Sequence, residues 1–115
     1  MSDRRNARII GDDDVDKALQ FLADNAKEIG EAKAEMVYAS HMVKVTKALC
    51  MRNYNDKPVS VQEREAYVTA EYLAALKRDA RAAGEYERLR ALREAAAMRI
   101  EAWRTESSNY RSMKI

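Results

Sequence analysis

Two long stretches of helical periodicity, separated by the only proline of the chain, constrain the fold more than any other feature. Apolar residues of the first stretch recur three, four or seven positions apart, at Val15, Leu19, Leu22, Ala26, Ile29, Met36, Val43 and Cys50. This spacing places apolar side chains on one face of an α-helix. With 3 glycines and 1 proline in 115 residues, the chain has few places to turn. The sequence therefore predicts an all-α fold with few, long helices.

The first helix is predicted to run from Asp12 to about Asn53. Asp12, Asp13 and Asp14 can cap it and complement the positive end of its dipole. Gly30 costs about 1 kcal/mol relative to alanine inside a helix, which predicts a bend or a close helix contact there. Turn-forming residues between Asn53 and Pro58 end the helix, because the residue before a proline is pushed out of the helical region.

A short helix over 60–67 and a long helix over 70–106 are predicted beyond the turn. Ser60 and Glu63 match the Ser-x-x-Glu capping box, and Thr69 offers a second cap. The residues from Thr105 to Asn109 are poor helix formers and predict the end of the long helix near residue 106. The apolar stripe of this helix contains Leu73, Leu76, Ala80, Ala83, Tyr86, Leu89, Leu92, Ala96, Ile100 and Trp103.

The two ends of the chain lie outside this periodic part. Residues 1–11 are charged and non-periodic, which predicts a flexible N-terminal arm; a strap docked through Ile9 and Ile10 is the alternative. Residues 107–115 are predicted to form a basic tail. No repeat or low-complexity linker interrupts residues 12–106, so we expect one helical hairpin domain.

The short connection predicts that the two long helices pack as antiparallel neighbours. The segment from Asp12 to Glu35 carries eight acidic side chains and three lysines, whereas that from Lys77 to Lys114 carries ten basic and six acidic ones. Folding back brings these oppositely charged segments together. Each surface ion pair contributes only about 0–1 kcal/mol to stability. The charges therefore favour the antiparallel orientation but add little to the stability of the hairpin.

Apolar residues outside the main stripe predict a second contact surface. We expect an oligomer interface at Tyr38, Met42, Val45, Leu49, Tyr72 and Leu76. Two alternatives would cover this surface: packing of the short helix, or association of two hairpins into a homodimeric four-helix bundle. We favour the homodimer.

The composition offers little material for catalysis. His41 is the only histidine and Cys50 the only cysteine, so no zinc site or acyl-transfer triad can be drawn. Neither a glycine-rich phosphate loop nor a calcium-loop motif is present. We expect no enzyme activity, no cofactor, no metal and no small-molecule substrate. The absence of a signal peptide and of about 20 consecutive apolar residues predicts a soluble, cytoplasmic protein with no membrane partner.

The arginine-rich end of the chain is the one candidate for nucleic-acid or partner binding. Its residues are Arg99, Trp103, Arg104, Tyr110, Arg111 and Lys114. Arginines bind phosphates, and exposed aromatic rings stack on unpaired bases. Against this, Glu101 lies one turn from Arg104, as on an ordinary solvated helix face, and Trp103 also belongs to the apolar stripe. Both interpretations stay open.

Three segments carry a resemblance to a known group of proteins. They are Gln62-Glu63-Arg64-Glu65-Ala66-Tyr67, Tyr72-Leu73-Ala74-Ala75-Leu76 and Arg99-Ile100-Glu101-Ala102-Trp103-Arg104. From about Asp16 onward the chain resembles small helical proteins of bacteriophages and prophages that have no assigned activity. The resemblance implies a phage origin, action in the host cytoplasm, and an accessory role in phage DNA replication, recombination or host takeover through protein contacts. A single-stranded nucleic-acid-binding accessory is the alternative, and a virion assembly component is a third.

Overall fold

The computed structural model of the chain describes residues 10–113, and these contain helices and no strand. Helix α1 spans Asp12–Met51 and continues into a 3-10 helix at Arg52–Tyr54. Helix α2 spans Val59–Tyr67, and helix α3 spans Ala70–Met113. The two long helices with the short one between them form a hairpin-like arrangement. The predicted all-α hairpin is confirmed.

The described residues fall into two compact units. The first contains the residues up to Lys27 together with those from Arg90 onward, and the second is Glu28–Leu89. Each long helix therefore contributes one segment to each unit.

The buried residues of α1 recur at alternating intervals of three and four residues. We call the line that they form along the helix its seam. Such a repeat averages 3.5 residues and is typical of helices that pack side by side as in a coiled coil. Buried Val15, Ile29 and Cys50 were predicted, whereas Leu19 was predicted on the seam but is 51% exposed, because Ala18 takes the seam position. The buried and half-buried seam residues are Val15, Ala18, Leu22, Asn25, Ile29, Ala32, Met36, Ala39, Val43, Thr46 and Cys50.

The seam of α3 has the same repeat. The stripe predicted for the first half of this helix is wrong. Leu73, Leu76 and Ala80 are exposed, because Tyr72, Ala75 and Asp79 occupy the seam instead. Leu92 is also exposed. The buried and half-buried seam residues are Tyr72, Ala75, Asp79, Ala82, Tyr86, Leu89, Ala96, Ile100, Trp103, Ser107 and Tyr110, with exposed Arg93 at the remaining position.

Gly11 directly precedes helix α1 and occupies the cap position predicted for an aspartate. The backbone N–H of Gly11 donates to the carboxylate of Asp14 (3.1 Å), and its carbonyl accepts from the backbone N–H of Asp14 (3.1 Å) and of Val15 (3.3 Å). Asp12, Asp13 and Asp14 form the first turn, where acidic groups stabilise the helix dipole as predicted.

The predicted capping box of α2 is wrong. The cap residue is Pro58, whose carbonyl accepts from the N–H groups of Val61 and Gln62 at 3.0 Å, and no side chain caps this end. Ser60 consequently lies inside the helix. Glu63 interacts instead with Lys47 of α1, at 3.5 Å.

Thr69 caps α3 as predicted and also connects three segments of the second unit. Its hydroxyl accepts from the backbone N–H of Tyr72 (3.1 Å) and donates to the carbonyl of Ala66 (2.8 Å). The buried Cys50 Sγ lies 3.3 Å from the same oxygen. One hydroxyl group thus joins the last turn of α1 to the α2–α3 junction.

Helix α3 extends seven residues beyond the predicted end at 106, so the described part of the predicted tail is helical. Propensity is overridden here by tertiary contacts. Ser107 is buried, and the carboxylate of Glu106 accepts from the backbone N–H of Ile10 (3.3 Å). Ile10 lines a groove with residues of α3, while residues 1–9 of the predicted flexible arm lie outside the described residues.

Gly30 makes no close helix contact, contrary to one of the two expectations stated above. A Cβ atom added at Gly30 or at Gly84 would meet no atom within 4 Å, and neither residue has a positive φ. Both glycines therefore lower helix stability without any packing gain.

We expect Gly30→Ala and Gly84→Ala each to raise the free energy of unfolding by about 0.5–1 kcal/mol, because alanine loses less backbone entropy in a helix. Urea denaturation followed by circular dichroism measures the change. Gly11→Ala is the matched control, since glycine is preferred over alanine at a helix cap and the same substitution should give no gain. Equal gains at all three positions would contradict this account.

We expect Thr69→Ala to lower the free energy of unfolding by about 1 kcal/mol, the usual effect of losing a helix cap. Thr69→Ser keeps the hydroxyl and should retain most of the stability. The same denaturation measurement compares the two variants, and indistinguishable stabilities would show that the hydroxyl contributes nothing.

Candidate interaction surfaces

The first candidate surface is the arginine-rich segment of α3 in the first unit. Trp103 is half-buried, and its indole N–H donates to the carboxylate of Asp12 at 3.0 Å. Tyr110 is also half-buried on the seam. Both aromatic rings are therefore partly used by the fold, which limits the ring faces available for stacking on a base.

The predicted basic residues do not form one cluster. Arg104 and Arg111 are seven residues apart and share one side of α3, where both line an open groove of about 570 Å³. Arg99 lies five residues before Arg104, roughly 140° around the helix. The guanidinium of Arg104 pairs with the carboxylate of Glu101 at 2.9 Å. Lys114 lies outside the described residues.

The second candidate surface belongs to the second unit and consists of Tyr38, Met42, Val45 and Leu49. We call these four residues the outer stripe of α1. Tyr38 is 53%, Val45 44% and Leu49 48% exposed, while Met42 is half-buried. Their spacing of four, three and four residues is that of a second helix-packing seam, beside the one that the hairpin already uses.

An arginine of α3 borders the outer stripe. The Arg78 guanidinium donates through Nε to Glu35 Oε1 (2.8 Å) and through Nη2 to Glu35 Oε2 (3.2 Å). Its Cζ also lies 5.1 Å from the centre of the Tyr38 ring. The hydrogen bond with Glu35 raises the pKa of Arg78, and an arginine is charged at neutral pH in any case. Arg78 thus contacts both Glu35 and Tyr38.

Sequence reasoning missed the pair between Glu35 and Arg78. The two residues are 43 positions apart in the chain. The opposite net charges of the two segments were a signal that some such pairs would form. The particular partner depends on the axial register of the helices, which one sequence does not reveal.

Helix α2 contacts α1 on the side that carries Lys47 and does not cover Val45 or Leu49 of the outer stripe. Lys47 of α1 contacts α2, with its Nζ 3.5 Å from Glu63 and 4.8 Å from the centre of the Tyr67 ring. Tyr67 and then Glu63 raise the pKa of Lys47. Lys47 is two residues from both Val45 and Leu49, so it lies about 200° around the helix from them.

The six predicted interface residues are consequently divided among three places. The outer stripe contains four of them. Tyr72 makes an edge-to-face contact with Tyr67, with the ring centres 5.3 Å apart. Leu76 is two residues from both Ala74 and Arg78 and so lies on the opposite side of α3 from them. Ala74 and Arg78 line a groove of about 480 Å³ with Met42 and Leu49.

His41 and Cys50 are not brought together. They are nine residues apart, on opposite sides of α1. His41 is exposed beside Asp79 and Ala83, whereas Cys50 is buried against Thr69. Within residues 10–113 no three histidine, cysteine or carboxylate side chains are grouped so that they could hold a metal ion.

Comparison of the chain with protein-family models, with curated proteins and with solved structures gave no match. The resemblance to small phage proteins therefore stays a prediction. None of the helices among the described residues is both long enough and apolar enough to cross a membrane.

We expect the double variant Arg104→Ala with Arg111→Ala to leave the affinity for a single-stranded oligonucleotide within about twofold of that of the unmodified chain. The reason is that Arg104 is already paired and that the two arginines alone offer few phosphate contacts. Fluorescence anisotropy at several salt concentrations measures the affinity. Strong binding that weakens steeply with salt and is lost in the variant would favour the nucleic-acid alternative.

Proposed function

We propose that this protein is a non-enzymatic helical interaction protein that binds another helix along the outer stripe of α1. The observation that carries the proposal is the exposure of Tyr38, Val45 and Leu49 in one line at helix-packing spacing. Folded monomers rarely expose contiguous apolar patches larger than a few hundred Å², and larger patches mark contact sites for other proteins. An amphipathic helix is the partner that matches this spacing.

The side chains that are buried inside the units explain why so much apolar surface is left outside. Within the described part of the chain, five of the nine buried apolar residues are alanines, at positions 18, 39, 66, 82 and 96. No large side chain among residues 10–113 is fully buried. Small seam residues allow close helix packing, but each buries little apolar area. A partner helix on the outer stripe would supply the missing burial.

The resemblance to small phage proteins gives this proposal its biological setting. On that basis the protein is an accessory in phage DNA replication, recombination or host takeover, acting in the host cytoplasm on a phage or host protein and as a homodimer. The alternative, a single-stranded nucleic-acid-binding accessory, has the shared side of Arg104 and Arg111 in its favour and the pairing of Arg104 with Glu101 against it. No observation favours the third candidate, a virion assembly component.

The proposed binding face is tested by placing a photoreactive amino acid at Val45 of the full chain in cells. We expect irradiation to give discrete cross-linked products, because this position would face the bound helix. Mass spectrometry identifies whether the captured protein is a second copy or a different one.

Two leucines of equal exposure provide the matched control for this experiment. Leu49 and Leu73 are each 48% exposed, but Leu73 lies on α3, away from the outer stripe. Leu49→Glu should abolish the cross-linked products, whereas Leu73→Glu should leave them unchanged. Absence of products from position 45, or equal loss in both variants, would refute the proposed face.

A further inference from the structure

The outer stripe has a symmetry that points to its partner. Its spacing of four, three and four residues reads the same in both directions about a midpoint between residues 43 and 44. Glu35 lies three residues before Tyr38, and Arg52 lies three residues after Leu49. The stripe is thus bounded by an acid at one end and by a base at the other, at equal distances from its centre.

Both bounding residues continue the geometry of the stripe. Glu35 lies within α1, and its carboxylate is held by Arg78. Arg52 follows α1 directly, because Met51 before it keeps helical dihedral angles (φ −60°, ψ −30°). Glu35 and Arg52 are both exposed. The seam spacing of three and four residues therefore extends over all six residues from Glu35 to Arg52.

An antiparallel second copy of α1 matches every position of this stripe. Tyr38 would face Leu49 of the other copy, and Met42 would face Val45. Glu35 would face Arg52, and two-fold symmetry makes each of these contacts twice. A parallel copy would instead place Glu35 against Glu35 and Arg52 against Arg52. Like charges at facing seam positions disfavour that register.

We propose that a second copy of this chain binds the outer stripe, with the two α1 helices antiparallel and crossing at residues 43 and 44. The inference rests on the proposed function, because it names the partner that binds the same face. Charge complementarity favours this partner. Many amphipathic helices could pack on the apolar residues of the stripe, but an antiparallel copy of α1 also places Arg52 opposite Glu35 at both ends.

The neighbouring residues leave room for this arrangement. Across the groove α3 presents Ala74, a small side chain, between Glu71 and Arg78. Helix α2 contacts α1 through Lys47, on the other side. Arg78 also fixes the carboxylate of Glu35 before binding, which lowers the side-chain entropy lost when Arg52 of the other copy approaches.

Charge reversal tests the register. Sedimentation equilibrium of the full chain at micromolar to millimolar concentrations should show a monomer–dimer equilibrium. Arg52→Glu should weaken the dimer about tenfold, because two facing pairs change from attraction to repulsion. Arg64→Glu makes the same charge change on exposed α2 and should leave the dissociation constant unchanged.

The reciprocal change separates pairing from a loss of net charge. Glu35→Arg alone should also weaken the dimer, and adding Arg52→Glu to it should restore much of the affinity. Glu35→Arg additionally breaks the pair with Arg78, so Arg78→Ala measures that contribution separately. If the double variant weakens the dimer by the sum of the two single effects, the two residues do not face each other and the proposed register is wrong.

Cross-linking provides a second test that does not depend on charge. In a Cys50→Ser background, a chain with Met42→Cys mixed with a chain with Val45→Cys should form a disulfide between the two chains. Leu49→Cys should not link to itself, because the two copies of residue 49 would be about 16 Å apart along the antiparallel helices. Efficient self-linking at position 49 would show a parallel dimer.

A chain that stays monomeric at millimolar concentration, with its helices intact by circular dichroism, would also overturn the inference. The proposed function would then be judged by the photo-cross-linking at Val45 alone. A product containing a different protein would support that function and refute the second copy as the partner.

Discussion

Close packing along a 3.5-residue seam is the constraint on which the rest of this structure depends. Both long helices follow it, and much of it is built from small side chains such as Ala18, Ala39, Ala82 and Ala96. Small residues let helices approach closely, so dispersion contacts are good although each residue buries little area. Larger apolar residues such as Leu19, Leu73 and Leu76 are excluded from the seam and remain exposed.

The interactions that supplement the seam differ between the two units. In the first unit, Asp12 accepts from the indole of Trp103 and Glu106 accepts from the backbone of Ile10, so polar contacts fix the start of α1 on α3. In the second unit, the Thr69 hydroxyl connects three segments, and Arg78 joins Glu35 to Tyr38. Within each unit these contacts set the axial alignment of the α1 and α3 segments, which apolar packing alone defines only weakly.

The candidate site could be predicted only in part from the sequence. The four residues of the outer stripe lie on successive turns of one helix, so helical periodicity alone places them on a common face. Tyr72 and Leu76 were grouped with them, but this grouping required knowing which side of α3 faces that part of α1. Arg78 was missed for the same reason: its contact with Glu35 is set by the axial alignment of two helices.

What the sequence by itself determined is local: the helical state, the turn at Pro58, the acidic first turn of α1 and the Thr69 cap. Each follows from dihedral preferences and from hydrogen bonds between residues close in the chain. The tertiary structure decided which of two adjacent stripes of α3 is buried, since a shift of one residue rotates a helix by about 100° and Leu73 then gives way to Tyr72. It also decided that α3 continues to Met113, because the buried Ser107 and the bond from Ile10 to Glu106 outweigh weak local propensity.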